Sequence, residues 1–271
     1  QPHLIEDHFN LLMSKNSLIE SASPRISPES LPHWFDGKLF ERGQRFAKRE
    51  LAALSVAYLY GSAAALMIPS VGKVFIATKR TSSACLAFKR YFSSALFFYC
   101  FHMSSYKDPQ SKFYKAIFTI RHMHALANKK VQRDYGYGIS LRDMALVQFT
   151  FIAFILVKPK SIGLKLNNGD KEGINHFWRV VGHLLGIPDR KNASETSALG
   201  EKIMSEVLKV HAESLTADSK SLLRRLFGGF NDVIPLFHRD ACLKLMYEAM
   251  GSKCECQNCI ITWYRPSLTF H

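Results

Sequence analysis

The sequence has no internal period of roughly 20–50 residues, which argues against a solenoid. It has no Gly-x-Ser-x-Gly elbow, no Gly-rich phosphate loop, no His-Glu-x-x-His and no paired Glu-x-x-His. Serine-hydrolase, nucleotide-binding, zincin and di-iron-bundle chemistry therefore all lack their usual marks. No convincing series of alternating strands is present. Acidic residues are scarce: 22 Asp and Glu stand against 36 Lys and Arg, a formal charge of +14. The excess is spread over pairs such as Lys48-Arg49, Lys89-Arg90 and Arg224-Arg225, with no helix-turn-helix, zinc-finger or RNP signature beside them. Nucleic acid is not an expected partner. A solvated basic surface is the plain reading, with weak association to anionic membranes or acidic polymers at low salt as its consequence.

Charge is missing altogether from residues 51–72, 91–106 and 144–157. The first stretch is long enough to cross a bilayer. It is rich in Ala and Ser, however, contains Gly61 and meets Pro69 before its end, and the other two are short for a span. Three such stretches predict buried helices at the centre of a layered all-α fold, with amphipathic helices outside.

Cysteine is sparse, and half of the six sit in Cys254-Glu-Cys256-Gln-Asn-Cys259, with Cys242 upstream. The run does not match a usual zinc-ribbon spacing, so at least one disulfide in an oxidising compartment is the preferred expectation over a four-thiol zinc site. Cys85 and Cys100 are expected to be buried thiols. The glycosylation sequon Asn192-Ala-Ser194 and a first residue other than Met agree with a secreted or ER-luminal glycoprotein.

What is present predicts residues 1–33 as an extension broken by Pro24 and Pro28, residues 34–250 as one multi-helix domain, and residues 251–271 as a Cys-containing tail. Ser140-Leu-Arg-Asp143 has the spacing of a helix-opening cap. Ile203, Met204, Val207, Leu208 and His211 form an apolar stripe. Pro235 and Gly251 bracket a last helix. Phe dominates the aromatics, at 20 residues against 10 Tyr and 3 Trp. That surplus suits a dense core or a wide apolar cavity.

Two segments place His and Arg inside apolar helical patterns. In Arg121-His-Met-His124-Ala125, Arg121 and His124 share a helix face, while His122 lies about 200° round from His124. A neutral imidazole in an apolar pocket is a good axial ligand for haem iron. The bland alternative is a hydrogen-bonded core histidine, and spacing alone leaves both open. In the second segment, 175–189, His176, Arg179 and His183 form a polar stripe, with Gly182 permitting close approach by a helix or a flat cofactor.

Four motifs in the same order resemble the latex-clearing (rubber oxygenase) and ER-bound oxygenase family. They are Phe40-Glu-Arg42-Gly43-Gln44-Arg-Phe46, Arg121-His-Met-His124-Ala125, Leu141-Arg-Asp143-Met-Ala-Leu-Val-Gln148 and Trp178-Arg179-Val-Val-Gly182-His183-Leu-Leu-Gly186-Ile-Pro188. The resemblance implies globin-like core helices around a pocket for one haem b, with His124 as proximal ligand. It also implies cofactor contacts from Arg121, Arg179 and His183, and oxygenase chemistry on a hydrophobic unsaturated small molecule with dioxygen or peroxide. Departures accompany it. Asn128 stands where the family often has Arg, and Arg90-Tyr-Phe-Ser93-Ser94 stands for an Arg-x-x-Lys-Thr element. Arg90 and Ser94 are thus the distal candidates. The rival expectation is a non-catalytic haem protein for storage, transport or colour, with His102 or His183 closing the sixth iron position.

Overall fold

The computed structural model describes residues 30–188, 216–234 and 237–249, together with Asn10. Nine α-helices and one short 3-10 turn, Pro159–Ile162, account for its regular structure, and the described residues contain no strand. The helices are α1 (Gly37–Arg49), α2 (Leu51–Met67), α3 (Pro69–Thr78), α4 (Ala84–Met103), α5 (Lys112–Tyr135), α6 (Leu141–Leu156), α7 (Asn168–Leu184), α8 (Ala217–Asn231) and α9 (Arg239–Ala249).

Side-chain oxygens open most of these helices. The Asp36 carboxylate accepts from the Lys38 and Leu39 N–H groups at 2.8 and 3.1 Å. The Ser140 hydroxyl accepts from the Asp143 N–H at 3.0 Å, which is the cap its spacing predicts. The charge-free stretch at 51–72 is not one rod. Ile68 is extended and Pro69 starts a new helix, so the run divides into α2 and α3. Among the described residues no single helix is long and apolar enough to cross a membrane; α1 and α2 taken together pass that test, and they are bent by 96°.

The long axis of packing is set by three helix pairs, α1 on α7, α2 on α6 and α8 on α4. Glycine allows the first two to approach closely. A Cβ on Gly43 would sit 2.5 Å from the Gly173 carbonyl oxygen, and one on Gly61 would sit 2.5 Å from that of Thr150. Between the layers lie Phe40, Phe113, Phe154, Phe177 and Trp178, all essentially buried. Polar ties fix the register. Gln44, itself buried, donates through Nε2 to the Phe101 and Ser104 carbonyls, both at 2.9 Å, so α1 satisfies the orphan carbonyls that end α4. Arg49 pairs with Asp170 at 2.8 Å and ties α1 to the start of α7.

Two expectations need correction. The last helix begins at Arg239, where the His238 Nδ1 accepts from the Ala241 N–H, and not in the turn after Pro235. Cys85 is an exposed thiol, because its position on α4 faces away from the layers; Cys100 is half-buried. Cys242 is a free, half-buried thiol whose pKa burial raises to about 11. Its proposed partners Cys254, Cys256 and Cys259 lie outside the described residues, as do the Asn192 sequon, Pro235, Gly251 and the stripe at 203–211.

Candidate functional site

Helices α2 to α6, with α7 and the residues that follow it, do not close on each other completely. They leave a cavity of about 210 Å³, against the roughly 10–15 Å³ by the same measure that one water needs. Phe75 of α3, Phe97, Phe98 and Phe101 of α4, Phe151 of α6 and Trp178 of α7 form much of its wall. The Phe surplus therefore serves both readings that composition left open, core and cavity.

His124 projects into this space from α5. The residue is half-buried and lines the cavity. Desolvation first, and the Arg90 charge second, bring its pKa down to about 4, which keeps the imidazole neutral at ordinary pH. Among the described residues its buried Nδ1 has no hydrogen-bond partner, and the ring makes no other hydrogen bond. Packing alone holds it. The bland alternative, a core histidine satisfied by hydrogen bonds, has no bonding partner for this ring among the described residues. His122 is exposed on the opposite face, stacked on Phe118.

Arg90 enters the same cavity from α4. Its guanidinium lies 4.2 Å from the centre of the Phe75 ring, and among the described residues no carboxylate or hydrogen-bond acceptor engages it. Burial lowers its pKa, as removing a cation from water must. Ser94 lines the cavity one turn on, and its hydroxyl donates back to the Arg90 carbonyl at 3.2 Å. Ser93 is exposed and bonds to the Lys89 carbonyl.

The other candidates stand elsewhere. Arg121 donates to the Leu184 carbonyl at 3.0 Å and so anchors the end of α7, from which Leu185 and Ile187 reach the cavity. His176, Arg179 and His183 do form one stripe, and they gather round Trp34: both imidazoles meet its ring edge-on at 5.8 Å, and the Arg179 guanidinium lies 4.1 Å over it. None of Arg121, Arg179 and His183 is among the lining residues. At Gly182 the close neighbour is the Gln148 side chain, which also donates to the Trp178 carbonyl at 2.9 Å. His102 is buried in the core, with Nε2 2.6 Å from the Tyr58 hydroxyl and its ring stacked on Phe177.

Three more polar residues line the wall, of which Tyr91 and Arg80 carry no distinctive mark in the sequence and Asp143 is marked there only by its cap and motif. Tyr91 is buried with its hydroxyl unpartnered, Arg80 sits exposed beside Met123, and Asp143 accepts from the Ser70 hydroxyl at 2.9 Å with Arg142 at 3.5 Å. Helical spacing marks Arg90 and Ser94 together on α4, and Tyr91 follows from adjacency only once the cavity is seen to span that face.

Comparison with known proteins adds three findings. The family described as "ER-bound oxygenase mpaB/B'/Rubber oxygenase, catalytic domain" matches residues 49–251. A rubber oxygenase of Streptomyces sp. (strain K30) is 24% identical over 169 residues, 59% of this chain and 41% of that protein, so the chain spans less than half of that relative's length. A solved structure of latex clearing protein in its closed state superposes with a TM-score of 0.64 at 20% identity, covering 93% of this chain and 71% of that one. That likeness shows a shared all-helical fold.

Proposed function

Because this chain belongs to the ER-bound oxygenase and rubber oxygenase catalytic-domain family, we propose that its cavity is the reaction chamber of a haem b-dependent oxygenase, with His124 as the proximal iron ligand. The observation that carries the reading is the state of His124: neutral, held only by packing, and presented to an apolar cavity. A metal needs the deprotonated nitrogen, and a ring with no competing hydrogen bond offers it. The residues present fit a flat apolar cofactor: apolar side chains, seven of them Phe, Tyr or Trp, make up most of the wall, and Arg80 at its exposed edge supplies a cation where carboxylates of such a group need counter-charge.

Bound there, haem would supply an iron that activates dioxygen or peroxide. The chain's own part is to hold the iron from one side through His124 and to exclude water with the Phe wall. Arg90 would place a positive charge in the chamber. Ser94 is a weak helper at most, since its hydroxyl proton is already given to the Arg90 carbonyl. A hydrophobic unsaturated small molecule fits the wall. Arg121 acts as a positioning residue through the Leu184 carbonyl, and Arg179 and His183 act through Trp34. Secretion or ER-luminal residence is proposed with this reading, on the sequon and the cysteine-bearing tail.

The oxygenase is preferred to a storage, transport or pigment protein on one specific observation. His124 is the sole histidine among the lining residues, while His102 is sealed in the core and His183 faces Trp34. Exposure of the ferrous, haem-loaded protein to carbon monoxide tests this. A prompt shift of the absorption band agrees with an open iron position; a low-spin bis-histidine spectrum with slow or absent binding contradicts it.

A further inference from the structure

Arg90 is a half-buried cation in the wall of an apolar cavity, and no carboxylate among the described residues neutralises it. Its guanidinium lies instead 4.2 Å from the centre of the Phe75 ring. The single carboxylate in the wall, Asp143, is already engaged by Ser70 and Arg142. Close to Arg90 the buried Tyr91 hydroxyl also lacks a partner, and Arg80 adds a second positive charge at an exposed edge. A cation taken out of water without a counter-ion is costly, and so is a buried hydroxyl with no partner. Guanidinium presents a planar fork that matches a carboxylate.

We propose that this cavity binds the carboxylate of an unsaturated fatty acid at Arg90, with the Tyr91 hydroxyl as a second donor and the acyl chain along the Phe wall. The binding stands on these residues alone. Naming the acid as the substrate rests on the oxygenase reading, because only then is the cavity a reaction chamber.

The same Arg90 chemistry would serve a haem propionate, so the test must separate the two sources. Linoleic acid and methyl linoleate are titrated calorimetrically into the full chain, with and without haem, for the unaltered protein and for Arg90→Gln. Haem affinity is followed separately by the Soret band. The expected result is an acid bound roughly ten- to a hundredfold more tightly than the ester, a preference lost in Arg90→Gln while the Soret band persists. Tyr91→Phe should lose part of it. Equal binding of acid and ester overturns the proposal. So does an Arg90→Gln chain that loses haem and keeps the acid preference, which assigns Arg90 to the propionate. A chain that takes up no haem but prefers the acid supports the ligand and removes only the oxygenase reading.

Discussion

Arg90 of α4 and His124 of α5 face one cavity, and the charge of the first helps to hold the imidazole of the second neutral. The two side chains come from different helices and touch the same space, so the site belongs to the packing of α4 against α5 and to neither helix alone.

The first prediction follows from that pairing. Desolvation is the larger cause of the low His124 pKa and Arg90 the smaller. Arg90→Met should therefore raise the His124 pKa above about 4 but leave it below 6.5. Histidine-resolved NMR titration of the haem-free chain measures this. A His124 that titrates near 6.5 in the unaltered protein would contradict the buried setting.

The second concerns stability and pH. Burial lowers the His102 pKa to about 3 from an ordinary 6.5. The unfolded chain thus binds a proton at this group, below pH 6.5, that the folded chain refuses. Stability from this source is complete above pH 6.5 and declines as pH falls towards 3. Between pH 7 and 4.5 the loss should be on the order of 2–3 kcal/mol from His102, with His124 adding to it. Urea titrations at the two pH values check the slope, and His102→Gln should flatten it. A stability independent of pH across that range would count against a neutral buried pair with Tyr58.

The third tests the helix crossings. A Cβ at Gly43 or Gly61 meets a carbonyl oxygen of the facing helix, which is backbone and cannot swing aside. Gly43→Val and Gly61→Val should each cost about 1–3 kcal/mol or prevent folding. Thermal melting of each variant beside Gly228→Ala, where a Cβ meets nothing within 4 Å, gives the comparison. Equal melting temperatures would show that the crossings are looser than described.

The fourth separates support from contact at the polar stripe. His183→Ala and Arg179→Ala remove partners of Trp34, and neither residue is itself part of the cavity lining. Both should lower the melting temperature and leave the haem spectrum unchanged in form. A variant that folds normally yet loses haem would place its side chain against the cofactor.

Much of this was readable beforehand where chemistry marks an end or a face. Ser140 caps α6, Pro69 divides the charge-free stretch, and the His176–Arg179–His183 stripe follows from helical spacing. The stripe's partner was not readable. Trp34 lies more than a hundred residues away, and a polar stripe on a helix looks the same whether it meets a cofactor or an indole. Pro235 suggested an earlier start for the last helix, because proline is tolerated in a first turn; the helix instead starts at Arg239, with His238 as the cap acceptor. His102 and His124 are equally apolar in context. Only tertiary packing makes one a core residue beneath Tyr58 and the other a cavity wall.

The central claim is that His124 holds iron, and the Soret band of haem-loaded protein tests it most directly. The unaltered chain, mixed with one equivalent of haem, should show a sharp band that His124→Ala abolishes or leaves weak, while the far-ultraviolet circular dichroism of the two stays alike. A His124→Ala protein that keeps the full band, or an unaltered folded chain that takes up no haem, contradicts the account.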